Sequence, residues 1–170
     1  MWEGVPDGTT DPVATLSVFA PETMSSDGTY LTVSTPAARP RRSEVFLVDE
    51  IATLGSSASD IAGDAYLPVG ALAAAGHLFA ADVNNSQVLV WEDIADALAG
   101  LSADAILGAS EPTDTRPETS RNQVFWPAVV SFDGDYLWVG EVKFSGRLVR
   151  FSPTGQAVGR ARQGATSGQG

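Results

Sequence analysis

The chain has 170 residues, 44% of them hydrophobic and 18% charged, which is enough apolar material for one packed domain. Its net charge of -11 repels phosphate, so nucleic acid and anionic membrane surfaces are disfavoured as partners. Cysteine is absent, which excludes a disulfide framework and any thiolate metal site.

From the N-terminus, Met1-Trp2-Glu3-Gly4-Val5-Pro6 has no basic stretch followed by an apolar one, so it does not read as a secretory signal. No apolar run approaches the length of a bilayer-spanning helix, and a soluble protein without membrane insertion is expected. Its compartment is left open. A short apolar strand, Ala14–Phe19, leads to Pro21 and an inner strand over 21–25. The turn Asp27-Gly28 and a central strand ending at Val33 follow. A loop, Pro36–Arg42, carries the basic cluster Arg39-Pro40-Arg41-Arg42, and then comes a third strand, Ser43–Asp49. The order then repeats. An outer strand over 60–66 precedes an inner strand over 68–72, a turn at Gly76, a central strand ending at Ala81 and a third strand ending at Trp91. Ile94–Leu101 reads as a short helix or turn. The last repeat has an outer strand over 103–108, an inner strand over 127–132, a turn at Gly134, a central strand ending at Val139 and a third strand ending at Phe151. Residues 154–170 are rich in Gly, Ser and Gln and read as a flexible tail.

The spacing is what makes these units repeats. From proline to turn glycine is seven residues at Pro21/Gly28 and at Pro127/Gly134, and eight at Pro68/Gly76. Proline is tolerated as the first residue of a strand because no ladder donor is lost there. The glycine supplies the positive φ of a tight hairpin. A period of about 45–60 residues built from short strands predicts an all-β propeller of four-stranded antiparallel blades. Residues 1–153 hold about three blades. A β-sandwich with coincidental alternation is the plainer alternative. The register expected from the repeats buries Leu31, Leu78 and Leu137 at equivalent positions, and likewise Phe46, Leu89 and Val149. Trp91 and Trp138 are expected between blades.

At Gly76-His77-Leu78-Phe79-Ala80-Ala81-Asp82-Val83-Asn84-Asn85-Ser86-Gln87-Val88-Leu89-Val90-Trp91 the chain resembles the NHL repeat. Like that repeat it has a glycine, a small-apolar strand ending in Ala-Asp, an Asn-rich turn and an apolar strand. The unit from Gly134 to Phe151 is similar, with Gly140-Glu141 in place of Ala81-Asp82. The first unit departs most, with Ser34-Thr35 there and a long loop. The resemblance implies a propeller, usually six-bladed, of which this chain would hold half. Members mostly bind proteins, RNA, carbohydrate or small molecules, and a minority are hydrolases or lyases.

Three blades cannot close a ring, because two strand edges and an apolar wall would stay open. A second copy of the chain, or further blades, is therefore expected as partner.

The loops at one end of the blades are the expected ligand face for a protein or small molecule. They gather Arg39, Arg41, Arg42, Asp82, Asn84, Asn85, Arg116, Arg121, Glu141 and Lys143, with Trp126 at a loop-strand junction. Asp82 and Glu141 end equivalent strands. With Asn oxygens they have the donor chemistry for Ca²⁺, which takes about six to eight oxygens, or for orienting a water. Equally, an Asp there bonds its own turn backbone. The basic cluster suits a carboxylate or phosphate, or is a solvated loop. His77, the sole histidine, is expected in a turn on the opposite face, which excludes a His-cluster zinc site and a Ser/His triad on the ligand face. No residue set forces a chemistry and no catalytic residue is assigned, so whether the chain is an enzyme stays open. The reading is a non-catalytic binding or scaffold module without a resident cofactor. The alternative is a calcium-dependent, lactonase-like hydrolase or lyase with its site at the propeller centre.

Overall fold

A computed structural model of the protein describes residues 17–35, 42–47, 59–60, 68–109, 116, 118–143 and 145–152. It is all-β apart from one short helix. The strands are β1 Thr23–Ser26, β2 Tyr30–Thr35, β3 Arg42–Leu47, β4 Ser59–Asp60, β5 Pro68–Ala74, β6 His77–Asp82, β7 Gln87–Trp91, β8 Ala105–Leu107, β9 Pro127–Phe132, β10 Leu137–Glu141 and β11 Leu148–Phe151. Helix α1, Ile94–Leu98, lies between β7 and β8. The strands form three antiparallel sheets in chain order: β1-β2-β3-β4, β5-β6-β7-β8 and β9-β10-β11.

The hairpins follow from their turn residues. Ala74 pairs with His77, leaving a two-residue loop, Ala75-Gly76, with both φ angles positive at 52° and 82°. That geometry matches the right-handed twist of the strands, and glycine reaches it without strain. The first and third sheets solve the same problem with aspartate. Asp27 Oδ1 accepts the amides of Thr29 and Tyr30, both at 2.9 Å. Asp133 Oδ1 accepts those of Asp135 and Tyr136, at 2.9 and 2.8 Å. Helix α1 starts at Asp93, whose carboxylate accepts the Ala95 amide.

Period-two alternation gives each sheet two chemically distinct sides. On the second sheet, Ala71, Ala73, Leu78, Ala80, Leu89 and Trp91 form one side and pack with Tyr30 of the first sheet and with α1. Phe79, Val88, Val90 and Leu107 form the other and pack against Leu137, Val139 and Phe151 of the third. The core is thus two apolar layers separated by one sheet. Between the first and second sheets, hydroxyls also cross the gap: Thr23 Oγ1 donates to the Val69 carbonyl, and Ser25 Oγ and Thr32 Oγ1 to that of Ala71. Between the second and third, backbones meet at Gly70, where a Cβ would stand 2.5 Å from the Ala128 oxygen.

The three expected turn glycines all sit in hairpin turns at positive φ. Pro68 and Pro127 open their strands, whereas Pro21 lies two residues before Thr23. Leu78 and Leu137 are fully buried and Leu31 half-buried. Several expectations are corrected. The fourth strand closes the unit before it: β4 pairs with β3, and β8 with β7. Ser17–Phe19 forms no strand, and Ala14–Leu16 lies outside the described residues. Leu31 pairs with Phe46, Leu78 with Trp91 and Leu137 with Phe151, so Phe46, Trp91 and Phe151 are the true equivalents. Leu89 and Val149 sit one pleat further along. His77 is the first residue of β6 rather than a turn residue. Trp91 is buried, with its Nε1 donating to the Leu101 carbonyl at 2.8 Å. Trp138 is instead 36% exposed. The tail lies outside the described residues.

Candidate functional site

The middle strands of the second and third sheets end in the same way. Asp82 closes β6 opposite Pro68, and Glu141 closes β10 opposite Pro127, each beside a bulge in the pairing. Both carboxylates are buried where the chain leaves the sheet. The glycine hairpins lie at the other end of the strands, and the Ile94 amide donates to the Gly76 carbonyl, so α1 caps that opposite end.

The Asp82 carboxylate bonds its own turn through Asn85. Asp82 Oδ2 accepts from Asn85 Nδ2 at 2.8 Å, and its Oδ1 from the Asn85 amide at 3.4 Å. Asn85 is half-buried and Asn84 exposed. Two neighbours that sequence reasoning missed stand beside this turn. Ser86 Oγ and Gln87 Oε1 are buried and have no hydrogen-bond partner in the protein. Gln87 pairs directly with Asp82 across β6 and β7, so these oxygens share one neighbourhood. Their signal in the sequence is polarity at the start of an otherwise apolar strand.

The Glu141 loop is held more tightly. Glu141 Oε1 accepts from the Phe125 amide at 2.9 Å and from Arg147 Nη2 at 2.6 Å. Oε2 accepts from Arg147 Nε at 2.8 Å and from Ser145 Oγ. Arg147 also donates to the carbonyls of Ser120 and Gln123. One guanidinium therefore ties the β10-β11 loop to the segment that enters β9. Burial pushes the Glu141 pKa up, but hydrogen bonds from Arg147, Ser145 and the Phe125 amide, with the Arg147 charge, outweigh it. The carboxyl sits below its ordinary value. The same hydrogen bond raises the pKa of Arg147.

Trp126 belongs to this cluster. It adopts a positive φ of 47°, and its carbonyl accepts the Val142 amide at 3.1 Å. Its ring tilts against Phe125, and Lys143 Nζ lies 4.2 Å from the ring centroid. The indole is half-buried, while Lys143, Arg116 and Arg121 are exposed.

The structure therefore brings together Glu141, Trp126, Lys143 and Arg147, and places Asp82, Asn84 and Asn85 at the matching end of the next sheet. Arg147 was not foreseen, because a separation of six residues across a loop carries no pairing signal of its own. Arg42 opens β3, paired with Thr35, and Arg39 and Arg41 lie outside the described residues. Among the described residues no three His, Cys, Asp or Glu side chains gather as a metal set. Among them, too, no helix is long and apolar enough to cross a membrane.

No protein-family model matches the chain, and no curated protein matches it. Among solved structures it resembles the crystal structure of the computationally designed Ika4 protein, with a TM-score of 0.46 and 10% identity over 85% of this chain and 99% of that one.

Proposed function

We propose that the three sheets are blades of a propeller resembling the NHL type, and that the chain works as a non-catalytic binding or scaffold module with the Asp82 and Glu141 loops on its ligand face. One observation carries the reading: both carboxylates that a reaction would need are already hydrogen-bonded by the protein, Asp82 by Asn85 and Glu141 by four donor atoms. Glu141, so surrounded, is a poor base, because its lone pairs are occupied and its pKa is lowered. What the face offers a partner is the Trp126 indole with Lys143 and the exposed Arg121. Aromatic and cationic groups of this kind suit an anionic or aromatic group on a protein or small molecule.

The alternative, a calcium-dependent lactonase-like enzyme, needs these same carboxylates released. The test is calcium titration by calorimetry, together with turnover of a simple aromatic lactone, on the full chain. The binding reading expects no saturable calcium uptake at micromolar concentration and no turnover above background. Micromolar calcium binding that disappears in Asp82→Asn, with turnover lost in Glu141→Gln, would overturn it.

A further inference from the structure

We infer that Trp126 and Lys143 form a recognition site for an aromatic carboxylate, in which the indole takes the ring and the ammonium takes the charge. This rests on the reading of this end of the sheets as the ligand face, and narrows it to one ligand chemistry.

The fold does not need an indole where Trp126 stands. Val18-Phe19-Ala20-Pro21 and Val124-Phe125-Trp126-Pro127 lead into the first and third sheets, each proline seven residues before its turn glycine. Ala20 and Trp126 are therefore equivalent, and both have a φ of 47°. The same backbone turn is made with alanine in one sheet and tryptophan in the other, so the turn asks for no ring. A bulky residue at positive φ before a proline is an outlier on two counts. Trp126 also joins neither apolar layer of the core. Strained residues persist where their surroundings hold them, and they gather at ligand sites. Here Glu141 accepts the Phe125 amide, and the Trp126 carbonyl accepts the Val142 amide.

The cation beside the ring is equally unexplained by the fold. Lys143 is exposed and also stands at positive φ, 63°. The chain has 21 acidic residues and 10 Lys and Arg, so a cation has carboxylates in plenty to pair with. Among the described residues Arg147 answers Glu141, but no carboxylate pairs with Lys143 or Arg121. Arg121 belongs to the same cluster, because Arg147 donates to the carbonyls of Ser120 and Gln123 on either side of it. Two cations without a carboxylate make this spot attractive to an anion, in a chain whose net charge is -11. Lys143 Nζ lies 4.2 Å from the indole centroid, so one small ligand can meet both groups at once. An aromatic ring packs on the indole, and a carboxylate accepts charge-assisted bonds from the ammonium. A neutral ring or a bare anion would use only half of the site.

The experiment titrates the full chain, labelled with nitrogen-15, with naphthalene-2-carboxylate and follows the indole N–H signals. The Trp126 signal is assigned by its loss in Trp126→Ala, and circular dichroism checks that each variant folds. A saturable shift of the Trp126 signal is expected at millimolar ligand. Naphthalene-2-carboxamide and acetate are each expected to bind at least about tenfold more weakly. Lys143→Gln is expected to bring the carboxylate down to the affinity of the carboxamide, whereas a merely structural lysine would weaken both alike. The peptide acetyl-Gly-Gly-Phe with a free C-terminus separates two sources of the same chemistry. Tighter binding of the peptide assigns the carboxylate to a chain terminus, and tighter binding of the naphthoate to a free small molecule; either supports the site. No saturable shift at Trp126, a response confined to the exposed Trp138, or a carboxylate preference that survives Lys143→Gln would overturn the inference. Absent calcium uptake and lactone turnover, those results remove this ligand class and leave the binding-module reading standing.

Discussion

The second and third sheets are the same hydrogen-bonded unit in different positions, and their side chains fare very differently. In the second sheet both sides are covered: Leu78, Phe79, Val88, Leu89 and Val90 are all at most 1% exposed. In the third only one side is. Leu137 and Val139 are fully buried, while Trp138 between them reaches solvent and takes a bond from its indole to Asp133 Oδ2 at 2.7 Å. That bond, followed by the Asp135 and Tyr136 amides, holds the Asp133 carboxyl below its ordinary pKa. Strand pairing thus follows from local sequence, whereas burial follows from place in the stack. An account built on this difference is best broken by substitutions at matched positions.

The largest contrast is expected between Leu89 and Val149. They hold equivalent places, but Leu89 lies in a closed layer and Val149 is half-buried on the last strand of a three-stranded sheet. Leu89→Ala is expected to cost about 2–5 kcal/mol by urea unfolding. Val149→Ala should cost roughly 1 kcal/mol, less than the fully packed case. Equal values would remove the distinction between the sheets.

Backbone approach sharpens it further. Gly70→Ala drives a methyl group into the Ala128 carbonyl, and a loss of about 1–3 kcal/mol is expected, the usual scale of overpacking. Gly140→Ala faces nothing nearer than 3.5 Å, so its thermal midpoint should stay close to that of the wild type.

Much of this arrangement was legible in the sequence. The proline-to-glycine spacing located the hairpins, because each turn needs a residue at positive φ and nothing else in the unit supplies it so readily. Leu78 and Leu137 were legible as core because alternation fixes the inward side of a strand. What local pattern could not give was the neighbour. Trp138 lies in a strand as apolar as that of Trp91, yet among the described residues no sheet covers it. The pairing of β4 and β8 with the unit before them was also hidden, since an outer strand looks alike whichever sheet receives it. At the site, the equivalence of Asp82 and Glu141 was visible, and so was an Asp that bonds its own turn backbone, as Asp82 does, but the bonding of Glu141 was not. Arg147 meets Glu141 only once the β10-β11 loop has folded back.

Smaller effects come from ionisation and capping. The Glu141 carboxyl is held below its ordinary pKa when folded, so its contribution is present at neutral pH and is lost as pH falls through the lowered folded value. Thermal midpoints measured from pH 7 downwards should show Glu141→Gln less stable at neutral pH, with the gap narrowing below about pH 4. A constant gap would mean that the carboxylate charge is not what holds the loop. Asp93→Ala removes the cap of α1 and should cost about 1 kcal/mol. Because α1 packs through Ile94 and Ala97 on the first-sheet side of the second sheet, the loss should leave Trp138 fluorescence unchanged.

Amide hydrogen exchange, followed residue by residue, tests most directly the claim that two-sided burial sets the second sheet apart. The account predicts the slowest exchange in β6 and β7, intermediate rates in β10, and the fastest in β1 and β11, since local opening follows the apolar contact each strand must break. Protection in β10 equal to or greater than that in β6 would contradict it.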